Sequence, residues 1–371
     1  MSNRLIDRRR VVASALAVPL ASVDRLRVRA QDAPLRILGW GHYFSPTITA
    51  AFTEQTGIDI DVTPIGAVDD VVLFLRAGGI GLYDLVAPTS GLIARMAEIG
   101  LIQPIGEQAL PSREGLFPQF QNAAWTTVEG QRFAVPVLWG SLAAVVPEEL
   151  RDSAPAAWLD LMGEPFAKKV LMSDDPLGHY WIWNLAMGAD DPTRVTRDQL
   201  DATTDLLIRM KTTQAGSWDS SVYNAMRRLA RGRNTVGSVG WQSAPALSLP
   251  GERRLAVFHP DPGDASFCDN LALVAEAPQP EAALAFMDYM LTPQTQAMLM
   301  NETNWATVTQ AAVPLLRQDV AALLDYGNLE AHLDRSPVRG YPPFTDDGQD
   351  TATYFDWVVA WDRVRGTRLG G

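Results

Sequence analysis

The sequence predicts an α/β protein of two domains, and three observations carry that prediction. Residues 35 to 62 (LRILGWGHYFSPTITAAFTEQTGIDIDV) read as strand, loop, helix and strand, the unit from which open parallel sheets are built. The chain has 371 residues and is 47% apolar, more than one core usually organises and enough for two. The extended run from Val135 to Val146 is long for a strand confined to one domain, and such a segment can cross between two.

In the opening unit, Leu35 to Leu38 is the buried strand. Pro46 suits the first turn of a helix, where its missing N–H costs nothing, and Gly57 suits the helix stop. Between them lie Trp40, Gly41, His42 and Tyr43. A loop at the carboxyl end of a parallel strand is where open α/β sheets bind ligands, so Trp40 and Tyr43 are either core aromatics or walls of a site.

A helix is expected from about Val68 to Leu75, followed by Gly78-Gly79-Ile80-Gly81 and a buried strand at Tyr83 to Ala87. These glycines match no phosphate-binding spacing and precede a strand, so they read as a tight helix-to-strand connection. Thr89 and Ser90 follow a strand end; Ser90 reads as a helix cap, Thr89 as a cap or a pocket hydroxyl. From Pro147 the pattern turns to helices joined by polar loops, with strands at Lys169 to Met172, Thr235 to Val239, Leu255 to Phe258 and Asn270 to Val274. The pair Asp174-Asp175 ahead of Pro176 is either a turn device or a cation site. Helices are expected at Glu281 to Leu291, Pro293 to Asn301 and Thr353 to Arg365, the last docking through Trp357 and Trp361.

The first thirty residues stand apart. They hold seven arginines and two aspartates around the apolar run VVASALAVPLASV, which is too short to span a bilayer. Arg8-Arg9-Arg10 before Val11-Val12 looks like a twin-arginine export signal, with cleavage near Ala30. Its removal takes the formal charge from −12 to −17. So acidic a body repels nucleic-acid phosphates and favours a cationic solute. The expected setting is the periplasm, with no nucleic acid partner and a monomeric state. The single cysteine, Cys268, excludes a disulfide framework and reads as a packed small residue.

Taken in order, Trp40 to Tyr43, Asp84 to Thr89, Val137 to Ser141, Ser173 to Asp175, Gly240-Trp241 and Phe267 to Asp269 resemble the periplasmic spermidine/putrescine-binding proteins of ABC importers. Thr56-Gly57-Ile58, Tyr83 to Pro88, Ile102 to Ile105 and Leu138 to Gly140 add to the likeness, which spans about residues 35 to 365. The resemblance implies a two-lobed, type II-like clam of mixed sheets flanked by helices, with crossing strands as its hinge. Lobe one would be 31–136 plus 269–313 and lobe two 137–268 plus 314–371, with crossings near 135–141, 266–270 and 313. It implies a small cationic or zwitterionic amine in the cleft and the membrane permease subunits of an ABC importer as partners. The ligand-binding residues it implies are Trp40, His42, Tyr43, Thr89, Asp175, Trp241, Phe267, Asp269 and Trp305. Aromatic faces would flank the alkyl chain and carboxylates would hold the ammonium groups.

Three positions depart from that family's pattern. His42 stands where an acid often precedes the loop tyrosine, Gly178 where an acid follows Asp175, and Gly91 where an aromatic follows Thr89. Two carboxylates and a neutral histidine suit a diamine or monocation better than a triamine, and His42 could pair with a ligand carboxylate. Related members bind 4-aminobutyrate, opines or aminophosphonates, so a zwitterion is the alternative ligand and a sensor the alternative partner. A secreted hydrolase is the rival class, with Asp174, Asp175 and His179 as its acid–base group. The four histidines lack zinc-site spacing and no G-x-S-x-G elbow exists, so neither catalysis nor any cofactor or metal is expected.

Overall fold

The computed structural model of the chain describes residues 33 to 232, 234 to 346 and 348 to 370, so the expected export signal lies outside the described residues. The opening unit forms as its sequence dictates. Strand β1 (Leu35–Gly39) leads to helix α1 (Pro46–Thr56), whose first turn is capped by Ser45 Oγ accepting from Ile48 N–H at 3.3 Å. Gly57 ends it in the left-handed conformation (φ 76°), with its N–H on Thr53 O at 2.7 Å. Strand β2 (Ile60–Pro64) then pairs in parallel with β1.

Eight further strands complete a ten-stranded sheet: β3 (Leu85–Val86), β4 (Ala134–Pro147), β5 (Val170–Ser173), β6 (Ala215–Asp219), β7 (Val236–Trp241), β8 (Leu255–Phe258), β9 (Ser266–Leu273) and β10 (Ala306–Thr307). Their order is β2-β1-β3-β9-β4-β7-β5-β6, with β8 and β10 also pairing with β4. The pairing is mixed: β1, β2 and β3 run parallel, as do β7, β5 and β6, while β9 and β4 run antiparallel to their neighbours. Strand β4 is the long crossing segment. Residues up to Ser141 pair with β9, and Leu142 onward pairs with β7 and β8.

Apolar side chains divide on either side of that change of partner. One core gathers Phe52, Phe120, Trp139 and Phe286, extended by a satellite around Leu38, Leu75 and Met96. The other gathers Trp158, Trp183, Trp357 and Trp361 beneath β5 and β7, with Met226 and Leu229 on the far face. Each fully buried side chain of this size contributes about 1.5–3 kcal/mol, so each half has a core of its own.

Of three differences from the sequence expectation, two have local causes and one comes from long-range pairing. Edge strand β6 went unpredicted because its sequence, AGSWD, lacks an apolar alternation. Helix Leu329–Arg335 is only seven residues long, too short for a clear periodicity. Past 313 the chain stays with the first core, where Val320, Leu324 and Leu329 are buried, and the third crossing comes later. There Pro337 O accepts from Ser266 N–H at 2.9 Å and Ser266 O accepts from Arg339 N–H at 2.9 Å. Helix α2 (Asp70–Phe74), helix α3 (Pro176–Ala186) and helix α4 (Tyr354–Gly366) complete the frame of the cleft.

Candidate functional site

The two cores face each other across a cleft of about 650 Å³ that all nine residues expected from the sequence line. On the first side, β1 must pass close beneath β3. A Cβ at Gly39 would lie 2.7 Å from that of Ala87 and 2.9 Å from the Phe44 ring, so only glycine fits. The chain then turns through Gly41–Tyr43, and Tyr43 is driven inward while Trp40 remains half-buried. The Tyr43 hydroxyl donates to Asp269 Oδ2 at 2.6 Å. Thr89 bridges Asp269 through the backbone, and its hydroxyl donates to Cys268 O at 3.4 Å.

Asp269 and Phe267, two residues apart on β9, share the face turned to the cleft, and a bulge between Asp269 and Asn270 adjoins the site. Cys268, between them, is fully buried. Trp305 meets Trp241 edge to face (5.1 Å, 68°) and Phe267 likewise (5.1 Å, 86°), so three aromatics form one wall. Gly140 makes room for them: a Cβ there would sit 2.8 Å from the Phe267 ring and 2.9 Å from Trp305.

On the second side, β5 ends in Ser173 and the two aspartates separate in role. Asp174 is held by Trp361 Nε1 at 2.7 Å and by Arg365 Nε at 3.0 Å. Asp175 caps helix α3, its Oδ1 accepting from Gly178 N–H at 3.1 Å, and lines the cleft as well. The two readings of this pair, turn device and cation site, are therefore geometrically compatible in one residue. Ser90 does not cap a helix; its hydroxyl donates to Arg339 O at 3.3 Å. His179 is buried away from the cleft. Its Nδ1–H donates to Asp175 O at 2.8 Å and its Nε2 accepts from Ser238 at 3.1 Å, so it makes no contact with either aspartate's carboxylate. Burial pushes it down to about 4, which keeps it neutral.

The departures from the expected pattern acquire physical reasons here. A Cβ at Gly178 would lie 2.2 Å from Asp175 Oδ2, so a side chain there would displace the carboxylate. A Cβ at Gly91 would lie 2.1 Å from Tyr341 Cδ2; the missing aromatic's space is filled by a tyrosine from the third crossing. His42 stands at the mouth, largely exposed. Its ring packs edge-on against Tyr43 (4.4 Å, 68°), and desolvation lowers its pKa.

Electrostatics set the chemistry of the cleft. Burial pushes Asp269 up to about 6, against the opposing hydrogen bond of Tyr43. Burial also pushes Asp175 up to about 6, with the Gly178 N–H opposing and Asp174 adding to the rise. The Tyr43 hydroxyl is raised well above its usual range by burial and then by Asp269, so it remains a donor. Among the described residues the lining holds five carboxylates (Asp69, Asp174, Asp175, Asp269, Asp362) and one guanidinium, Arg365, which Asp174 and Asp362 already bind. Buried carboxylates raised in this way take up a cation readily, because a desolvated ammonium supplies the counter-charge they lack.

The bacterial extracellular solute-binding protein family matches residues 47–323. The chain belongs to that family. This solute-binding protein is 26% identical over 322 residues to the putrescine-binding periplasmic protein PotF of Escherichia coli, covering 82% of this chain and 86% of that one. It is 24% identical over 316 residues to a spermidine/putrescine-binding periplasmic protein of Salmonella typhimurium, covering 85% and 88%. In fold it is similar to the spermidine/putrescine ABC transporter substrate-binding protein PotD of Streptococcus pneumoniae, with a TM-score of 0.71 at 22% identity over 90% of this chain and 99% of that one. The binding protein MotA of Agrobacterium tumefaciens, solved with glucopine, gives 0.66 at 15% identity over 90% and 100%. The shared fold is the two-lobed periplasmic binding protein, and the family is one of binders, not enzymes.

The sequence reading missed Asp69, Trp181, Tyr341 and Tyr354, all of which line the cleft. Trp181 and Tyr354 lie on helices that were expected, but no local signal marks which helix face meets a cleft. Trp361 was read as a docking residue; it docks, and its indole N–H also fixes Asp174.

Proposed function

We propose that this protein captures a polyamine, putrescine or spermidine, in the cleft between its lobes and delivers it to the permease of an ABC importer. The observation that carries this reading is the pair Asp175 and Asp269. They reach one aromatic-walled cleft from opposite sides, Asp269 buried and Asp175 half-buried, and neither has a cationic partner among the described residues. An ammonium between such carboxylates gains charge-assisted hydrogen bonds, and a facing indole adds about 0.5–2 kcal/mol. The relatives' names point the same way. A zwitterion would need a cation for its carboxylate, and Arg365 is already bound by two aspartates.

The nine lining residues are the proposed ligand contacts, with Asp175 and Asp269 on the ammonium groups and Trp241, Phe267 and Trp305 along the chain between them. The proposed lobes are roughly 33–140 plus 267–336 and 142–265 plus 345–370, with 337–344 as the crossing, whose Tyr341 and Phe344 still pack on the satellite of the first core. Closure about β4, β9 and that crossing would present the loaded form to the transporter. Residues 1 to 30 are the proposed twin-arginine leader to the periplasm; replacing Arg8, Arg9 and Arg10 by Lys is expected to retain the precursor in the cytoplasm, as seen by fractionation.

Calorimetry on the purified protein with putrescine, spermidine, agmatine and 4-aminobutyrate tests the central reading. Saturable binding of a polyamine is expected. Binding of 4-aminobutyrate alone, or of none of the four, would overturn it.

A further inference from the structure

The first lip of the cleft carries a second aspartate pair, Asp69 and Asp70, and its members divide their labour as Asp174 and Asp175 do. Asp70 is engaged by its own loop, its Oδ2 accepting from Gly66 N–H at 2.8 Å and Ala67 N–H at 2.9 Å. Asp69 instead lines the cleft and takes one hydrogen bond, from the hydroxyl of Tyr354 at 2.5 Å. Tyr354 opens helix α4, which packs on the second core, so this bond spans the mouth from one half to the other. No arginine, lysine or histidine pairs with Asp69 among the described residues. Burial raises its pKa, and Asp70 adds to the rise.

A further hydroxyl lies close by. Tyr341 Oη is buried with no hydrogen-bond partner among the described residues, in the combined field of Asp69, Asp269 and Asp175. Its ring is fixed by stacking on Phe344 (5.7 Å, 20°) and by contact with Tyr354 (5.4 Å, 40°). The cleft thus has three carboxylates met only by neutral donors, and an unused oxygen among them.

We infer that Asp69 is a third cation-binding position, so that the cleft takes a triamine in preference to a diamine. The third amino group replaces the Tyr354 hydroxyl on Asp69, because an ammonium brings the counter-charge that a hydroxyl lacks. Tyr341 Oη accepts an N–H from the amine between. This inference rests on the polyamine reading and departs from the expectation, drawn from two carboxylates and a neutral histidine, that a diamine or monocation fits better.

Titration calorimetry with putrescine and with spermidine, on the wild type, Asp69→Asn and Tyr354→Phe, tests it. Asparagine keeps an oxygen for Tyr354 but removes the charge. The wild type is expected to bind spermidine at least tenfold more tightly than putrescine. Asp69→Asn should weaken spermidine at least tenfold and putrescine less than twofold, while Tyr354→Phe leaves spermidine undiminished. Preference of the wild type for putrescine, equal losses for both amines in Asp69→Asn, or a loss for both in Tyr354→Phe would overturn the inference; the last would make the bond a latch. An unchanged Asp69→Asn beside a polyamine-binding wild type defeats this inference alone. A wild type that binds neither amine defeats the polyamine reading itself and this inference with it.

Discussion

Asp269 in the first lobe and Asp175 in the second arrive at the same acidity by different constructions. Asp269 sits beside a bulge in β9 and is oriented by a side chain, the hydroxyl of Tyr43. Asp175 sits at the start of helix α3 and is oriented by the backbone N–H of Gly178. Burial dominates at both and brings each to about 6. A side-chain cradle can be dismantled by mutation without moving the backbone, whereas a helix cap ties the carboxylate to the fold. The first lobe should therefore be the tunable half of the site and the second the rigid one.

The largest way to break this symmetry is Asp269→Ala. Removing one partner of a buried charge pair costs about 2–5 kcal/mol, so calorimetry on the best ligand should show affinity falling by about 30-fold or more. An unchanged affinity would remove Asp269 from the site. Next comes stability without ligand. A buried aspartate whose pKa rises on folding destabilises the folded protein when ionised: the cost is absent below about pH 4, grows between 4 and 6, and reaches about 3 kcal/mol above. Asp269→Asn should accordingly raise the melting temperature of the empty protein at pH 7.5 and leave it unchanged at pH 4. A melting temperature lowered at pH 7.5 would contradict the assigned burial.

The pH dependence of binding follows from the same pair. Both carboxylates must be ionised to hold ammonium groups, so below pH 6 each costs about tenfold in affinity per pH unit, and calorimetry at pH 5 and pH 7.5 should show it. Flat affinity across that range would mean that neither carboxylate meets the ligand. The smallest effect separates the lobes directly. Tyr43→Phe removes one donor from Asp269, should weaken binding by about 1–2 kcal/mol, and should move the acidic limb of the profile upward. Gly178→Ala, whose methyl would meet Asp175 at 2.2 Å, should weaken binding through the other lobe.

Much of this arrangement is legible residue by residue. Pro46 and Gly57 bound α1 because proline and glycine dictate their own backbone, and that places Gly39 to Tyr43 at a sheet's carboxyl edge. Asp175 before Pro176 announces a helix start by the same local chemistry. The strand end carrying Trp241 is readable from period and burial, whereas Asp269 lies inside β9. Where the third crossing falls is not, because Val338 meets Ser266 through a bridge that no nearby residue encodes. Asp69 meets Tyr354 across 285 residues, and Tyr341 fills the space beside Gly91.

By itself the sequence determined the α/β alternation, the need for two cores, the acidic character of the body and the short segments that carry aromatics and carboxylates to strand ends. These follow from propensity and periodicity, which act within a few residues. Only the tertiary structure decided how each aspartate pair divides, since Arg365 binds Asp174, which lines the cleft beside Asp175, and the amides of residues 66 and 67 hold Asp70. It also decided that Tyr341 takes the space beside Gly91. Such choices depend on distances between remote segments, and those distances exist only once both cores have packed.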